Sequence, residues 1–201
     1  MDLFSSLINP NTNLLSCDGI VNYHGQILDP SVTKSYFNTL YNTIEWRNDE
    51  ANLFGKRIIT NRKVAWYGDS NYSYTYSNTT KQALIWTKEL LELKACVEKL
   101  TETSFNSCLL NLYHNGNEGM AYHSDDETSL GKNATIASLS FGAERRFLFQ
   151  HKKTKETISI QLENGSLLVM KAETQAYWAH RLPVSTKIKN PRINLTFRTM
   201  I

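Results

Sequence analysis

Thiols are scarce in this sequence, and those present do not pair. Cys17, Cys96 and Cys108 lie far apart and form no CxxC motif. That argues against a disulfide framework or a zinc knuckle and for reduced, mostly buried thiols. No apolar run approaches the roughly 18 residues a membrane-spanning helix needs. The opening stretch, Met1 to Leu15, has neither the basic segment nor the continuous apolar segment of a secretory signal. A reducing compartment is therefore expected: the cytoplasm, or the nucleus if the source has one. No strong charge of one sign appears either. The 22 Lys and Arg against 19 Asp and Glu leave +3, which is compatible with a polyanionic partner without requiring one. Internal repeats, linkers and low-complexity segments are also missing.

What is there suits a folded domain. The 201 residues, 41% hydrophobic and 20% charged, suffice for one domain with a substantial core. Residues 1–20 read as a lead-in segment and 21–201 as that single domain. Val21 to Leu28 is a candidate strand. Asp29-Pro30 has the form of a helix start, and Val32, Tyr36, Phe37, Leu40 and Ile44 predict one buried helical face to about residue 45. Lys81 to Leu100 predicts a second helix, with Leu90, Leu93, Val97 and Leu100 inward and Lys88, Glu92, Lys94 and Lys99 outward.

Between these helices, Leu53-Phe54-Gly55-Lys56 reads as a hairpin tip, with Phe54 either tucked inward or exposed as an apolar wedge. The stretch from Val64 to Ser77 is the most aromatic of the chain. Its Tyr72, Tyr74 and Tyr76 share one face of a strand. Such a ladder serves cross-strand packing or the stacking of nucleic-acid bases. From Ser104 onward the pattern is of strands, at about 107–113, 134–141, 145–151, 156–162, 166–171, 175–180 and 192–199, punctuated by Asn115-Gly116, Gly131 and Asn164-Gly165. The fold class is α+β, mainly β: a double-stranded β-helix (jelly roll) with N-terminal supporting helices.

The chemistry-bearing residues gather in the last third. His123-Ser124-Asp125 is followed by the strand block, then His180, then Arg192-Ile193-Asn194-Leu195-Thr196-Phe197-Arg198. Two imidazoles and a carboxylate without thiolate suit iron, manganese or zinc, and can leave part of an octahedral iron(II) open. The alternation of the arginine segment puts Arg192, Asn194, Thr196 and Arg198 on one face of a strand. Four polar residues facing inward are costly unless they bind something polar, and a dicarboxylate such as 2-oxoglutarate would satisfy them. A structural ion pair with Glu163 or Glu173 is the competing explanation. Asn111 and Tyr113, two apart in a strand, could hydrogen-bond the same acid.

NLY at 111–113, HSDDE at 123–127, ASLSFGA at 137–143, GSLLVM at 165–170, PRINLTFR at 191–198 and WYGDSNYSYTYS at 66–77 together resemble the AlkB family of iron(II)- and 2-oxoglutarate-dependent nucleic-acid dealkylases. The resemblance covers residues 20 to 200. It implies His123, Asp125 and His180 as iron ligands and catalytic residues. It implies Asn111, Tyr113, Arg192, Asn194 and Arg198 as binders of 2-oxoglutarate, Arg192 on the carboxylate far from iron and Arg198 on the near one. Trp66, Tyr74, Tyr76, Asp126 and Glu127 would line the pocket of the damaged base, whose cationic ring an aromatic box with carboxylates favours. LFGK at 53–56 makes Phe54 a candidate wedge. The implied reaction is oxidative removal of N-alkyl groups, as from 1-methyladenine or 3-methylcytosine, with dioxygen consumed and aldehyde, succinate and carbon dioxide released. The implied partner is alkylated DNA, single- or double-stranded, with RNA as a further substrate; no membrane is involved and a monomer is expected. Two other readings compete: a hydroxylase or demethylase of a substrate other than nucleic acid, and a nucleic-acid-binding module without activity.

Overall fold

The computed structural model describes residues 9–53, 56–70, 72–76 and 79–201. In chain order it runs β1 (Ile20–Gln26), α1 (Pro30–Thr43), β2 (Arg47–Leu53), β3 (Lys56–Gly68), β4 (Ser73–Tyr76), β5 (Thr79–Gln82), β6 (Leu84–Ile85) and α2 (Lys88–Thr101). Then come β7 (Ser107–Tyr113), β8 (Met120–His123), β9 (Ile136–Gly142), β10 (Arg145–His151), β11 (Thr157–Leu162), β12 (Ser166–Lys171), α3 (Thr174–Tyr177), β13 (Trp178–Leu182) and β14 (Arg192–Arg198). No helix of the described residues is long and apolar enough to cross a membrane.

Strand alternation sorts the side chains into layers. One sheet runs β1-β12-β9-β14-β7-β3-β2, with β6 beside β3, and a smaller sheet runs β11-β10-β13-β8. On β14, Ile193, Leu195 and Phe197 join Leu110, Leu112, Leu139 and Phe141 of neighbouring strands in a core that also takes Leu90, Leu93 and Val97 of α2 and Leu40 of α1. The helices therefore cover the outside of the larger sheet. Its other face meets the smaller sheet through Ile136, Leu168 and Met170 against Phe149, Leu162 and Trp178. This is the mainly β, two-sheet jelly roll with helical support that the sequence predicts.

Several elements differ from expectation, each for a local reason. The buried stripe of α1 passes through Thr33, which is buried, rather than Val32, which is 40% exposed. Thr33 packs where Gly165 leaves room; a Cβ there would meet the threonine hydroxyl at 2.8 Å. The helix expected over 81–100 starts later, at Lys88, because Thr87 caps it by accepting from the Leu90 N–H. Upstream residues form β5 and β6 instead, with Thr79 and Thr80 pairing to β4. Leu100 is 43% exposed and Thr101 takes its place in the buried stripe. The strand expected at 175–180 is one turn of helix followed by β13, and β8 was not anticipated. Antiparallel β2 and β3 pair Leu53 with Lys56, so the hairpin at 53–56 is present. Phe54 itself lies outside the described residues, as do residues 1–8 of the lead-in.

Candidate active site

Strand register brings the chemistry together. His180 on β13 pairs directly with His123 at the end of β8, and their rings are 4.3 Å apart. Asp125 follows two residues later, held by its own N–H, which donates to the Gln175 side chain at 2.9 Å, while Ser124 Oγ donates to the Trp178 carbonyl. One ligand atom from each of His123, Asp125 and His180 lies within 4.8 Å of the others. On the larger sheet, β14 pairs Arg192 with Tyr113 and Asn194 with Asn111 on one side, and Asn194 with Ser140 and Thr196 with Ser138 on the other. All of these polar residues except Ser140 line, with the histidines, one cavity of about 170 Å³, whose apolar wall includes Leu109, Met120, Phe147 and Met170.

Protonation suits a cation at the histidine–aspartate group. His123 Nδ1 is 2.9 Å from the Ala121 carbonyl. A carbonyl only accepts, so Nδ1 is the donor there and Nε2 is the ring nitrogen that remains for a metal. Burial drives the His180 pKa down to about 3, which keeps its ring neutral. Its Nδ1 is buried with no hydrogen-bond partner. For Asp125, burial alone would raise the pKa, but the Arg198 guanidinium, His180 and His123 together outweigh it and hold the carboxyl below its ordinary value. Arg198 Nη2 donates to Asp125 Oδ1 at 2.7 Å.

Arg192 lies buried at the other end of β14. Its Nη2 donates to Ser140 Oγ at 2.9 Å and to Asn194 Oδ1 at 2.7 Å, and Asn194 passes the chain on to Thr196. Its Nε is buried without a partner. No carboxylate of the described residues pairs with it; Glu163 instead accepts from the Tyr23 hydroxyl. Burial lowers its pKa to about 10. Three guanidiniums, of Arg62, Arg145 and Arg192, stand 5.9, 5.8 and 5.6 Å from the centre of the Tyr113 ring. Arg62 is ion-paired with Asp49, which leaves Arg192, the one of the three that lines the cavity, as the guanidinium without a carboxylate, and that is what an anionic ligand needs.

A family model described as the 2OG-Fe(II) oxygenase superfamily matches residues 20–198. The chain belongs to that superfamily, in its AlkB family. Among curated proteins it is 40% identical over 157 residues to the Bos taurus protein named DNA oxidative demethylase ALKBH2, covering 74% of this chain and 56% of that one. It is 40% identical over 183 residues to Bos taurus alpha-ketoglutarate-dependent dioxygenase alkB homolog 3, covering 86% and 63%. With the Mus musculus DNA oxidative demethylase ALKBH2 it shares 35% over 198 residues, covering 93% and 81%. The chain thus spans less than two thirds of the length of the two Bos taurus relatives. The solved structure of OsALKBH1 superposes with a TM-score of 0.59 at 16% identity, over 92% of this chain and 99% of that one, and shows the same fold.

The superfamily's iron(II) and 2-oxoglutarate fit these residues. The donor set is two imidazoles and a carboxylate without thiolate, one imidazole nitrogen is orphaned, and a buried arginine lacks a carboxylate. The residues read as substrate contacts are distributed differently. Glu127 lines the cavity and has a buried oxygen with no partner, whereas Asp126 is exposed, 3.9 Å from the Lys152 ammonium, and does not join the cavity. Trp66 donates from its indole to Ser107 Oγ at 2.7 Å and stacks on Tyr72. It lines a broader groove of about 650 Å³ that meets the cavity at Leu109. Tyr74 and Tyr76 lie on β4, whose side chains are outside the described part.

Some residues that line or support the site escaped the sequence reading. Ser138 and Ser140 carried a usable signal, since ASLSFG alternates two apart in the manner of RINLTFR. Arg62, Arg145 and Gln175 carried none, being isolated polar residues whose partners are distant in sequence.

Proposed function

We propose that this protein oxidatively dealkylates N-alkylated DNA bases such as 1-methyladenine and 3-methylcytosine, with RNA a further substrate, acting as a monomer in the nucleus or cytoplasm. The observation that carries the reading is a single cavity with two poles: an imidazole and carboxylate group at one, and a buried arginine without a carboxylate at the other. The names of the ALKBH2 relatives favour DNA as the polymer.

His123, Asp125 and His180 would hold iron(II). When bound, iron with 2-oxoglutarate and dioxygen supplies the oxidation of the N-alkyl carbon, with succinate and carbon dioxide as by-products. The oxidised alkyl group then leaves as aldehyde and the base is restored. The protein's own part is binding and orientation. Arg192 takes the distal carboxylate of 2-oxoglutarate, with Tyr113 and Asn111 beside it, through charge-assisted hydrogen bonds. Arg198, tied to Asp125, fixes a metal ligand and presents its free donors to the near carboxylate. Phe147, stacked 5.5 Å from the His180 ring, and the methionines keep that end dry. Trp66, Tyr74 and Tyr76 stack the base, and Glu127 accepts from its exocyclic amine or faces its cationic ring. Asp126, turned toward Lys152, acts at the rim. The base must leave any duplex stack first, at a cost of a few kcal/mol that is least in single strands. Phe54 is the wedge for duplex substrates.

The test is incubation of the full chain with iron(II), ascorbate, 2-oxoglutarate and oligonucleotides carrying 3-methylcytosine, as single strand, duplex and RNA. Formaldehyde release from at least the DNA strands is expected, with Phe54→Ala losing more activity on duplex than on single strand. Absence of formaldehyde from every methylated DNA, while 2-oxoglutarate is still consumed, would sink the proposal.

A further inference from the structure

A second group of metal-ligating side chains sits at the end of β10, and none of its members lines the cavity. Cys17, Asp18 and His151 bring a thiol sulfur, a carboxylate oxygen and an imidazole nitrogen within 4.8 Å of one another. His151 is 2% exposed, whereas Cys17 and Asp18 are exposed, so the group opens to solvent on one side. The ring is fixed in place. Its Nδ1 accepts from the Thr154 N–H at 3.0 Å. It lies parallel to Tyr177 and edge-on to Trp178, at 5.0 Å from the latter. Nε2 is thereby aimed at Asp18 Oδ2, 3.2 Å away.

A histidine–aspartate hydrogen bond accounts for two of these groups; the thiol sulfur has only a long contact with Ser16 Oγ, at 3.7 Å. Consecutive residues of an extended chain point to opposite sides. Cys17 and Asp18 converge on one point because Asp18 adopts a left-handed backbone, φ 53, which costs free energy in a residue with a side chain. The segment is also pinned. Trp178 Nε1 donates to the Cys17 carbonyl at 3.0 Å, and Ser16 Oγ donates to Glu156 at 2.8 Å.

We infer that Cys17, Asp18 and His151 form a binding site for a divalent cation of the zinc class. Thiolate, carboxylate and imidazole are zinc's own donor set, and metal–ligand bonds of about 2.0–2.3 Å put neighbouring ligands of a tetrahedron roughly 3.3–3.7 Å apart. The histidine–aspartate pair, at 3.2 Å, stands just inside that spacing, and the sulfur has only to close from within 4.8 Å. Three protein ligands leave the fourth position to water on the open side. On binding, the thiol proton goes to solvent. The imidazole proton moves from Nε2 to Nδ1 through solvent, so the ring stays neutral and the Thr154 hydrogen bond is given up. That loss makes the site weaker than a closed four-ligand one. His151 pairs with Trp178, two residues before His180. The bound cation therefore fastens the segment around Cys17 to the strand pair that carries a cavity histidine, without entering the cavity.

Cobalt(II) distinguishes the two sites, because only this one offers a thiolate. Full-length protein freed of metal is titrated with cobalt(II) and followed by its thiolate-to-cobalt charge-transfer absorption in the near ultraviolet. The absorption should appear, saturate by two equivalents per chain with the other equivalent taken silently by the cavity site, disappear on adding zinc(II), and be lost in Cys17→Ser and in His151→Gln while Cys96→Ser retains it. Cys17→Ser alters an exposed side chain, so a folded variant is available whatever becomes of His151→Gln. No such absorption in the wild type, or its survival in Cys17→Ser, overturns the site and leaves a simple histidine–aspartate latch.

Discussion

Replacing Arg192 with methionine should cripple 2-oxoglutarate binding while leaving the free fold intact. The guanidinium is buried, has no carboxylate partner among the described residues, and has its pKa pushed from 12.5 to about 10 by burial. That difference corresponds to on the order of 3 kcal/mol by which the site disfavours the cation. Opposing it are the hydrogen bonds to Ser140 and Asn194, each contributing about 1 kcal/mol net. Methionine carries no charge and is similarly long, and Asn194 Oδ1 keeps its Ser138 donor. The variant without co-substrate should therefore unfold at, or a few degrees above, the wild-type temperature. For the bound dicarboxylate the sign reverses. Removing one partner of a buried charge pair costs about 2–5 kcal/mol, which is roughly 30-fold to several-thousand-fold in Kd. Thermal melts and calorimetric titrations with manganese(II) in place of iron separate the two effects without turnover. Wild type should gain melting temperature on adding 2-oxoglutarate and the variant should not. Binding in the variant within about fivefold of wild type would refute the reasoning.

Arg145 predicts the opposite behaviour. Its guanidinium donates to the carbonyls of Asn115, Glu118 and Pro183, so Arg145→Met should strand buried acceptors and cost about 2–4 kcal/mol, seen as a lowered melting temperature. The metal-free protein should also lose stability in acid. With His180 lowered from 6.5 to about 3, the unfolded chain binds a proton that the native state refuses. Stability is then full above pH 6.5 and falls as pH drops toward 3, with Asp125, also lowered, adding in the same direction. Denaturant midpoints across that range check it, and His180→Gln should flatten the slope. Trp66→Ala should raise KM for a methylated oligonucleotide by about 5- to 150-fold, the value of one stacked base, and leave KM for 2-oxoglutarate unchanged. Equal changes in both would remove Trp66 from the base pocket.

Much of this site was legible in the sequence because strand alternation is a strict rule. RINLTFR and NLY each place their polar residues on one face by a period of two, and antiparallel register then sets Arg192 beside Tyr113 and Asn194 beside Asn111. What the sequence concealed depends on tertiary contacts. The turn at Thr174–Tyr177 reads as strand because Trp178 and the residues after it are strand, yet Gln175 is needed as an acceptor for the Asp125 N–H. The split between Asp126 and Glu127 could not be read from adjacent acidic residues, since only the folded backbone turns Glu127 into the cavity and leaves Asp126 outside, near Lys152. The start of α2 was hidden because Thr87 outweighs the helix-forming residues before it only as a cap in context.

The central claim is that one cavity couples consumption of 2-oxoglutarate to repair of a base. Its most direct test is the ratio of products from wild-type protein given iron(II), 2-oxoglutarate, ascorbate, air and an oligonucleotide bearing 3-methylcytosine. Succinate, formaldehyde and restored cytosine should appear in equal amounts, and all three should vanish in Asp125→Ala while oligonucleotide binding persists. Succinate without formaldehyde, or formaldehyde undiminished in Asp125→Ala, would contradict it.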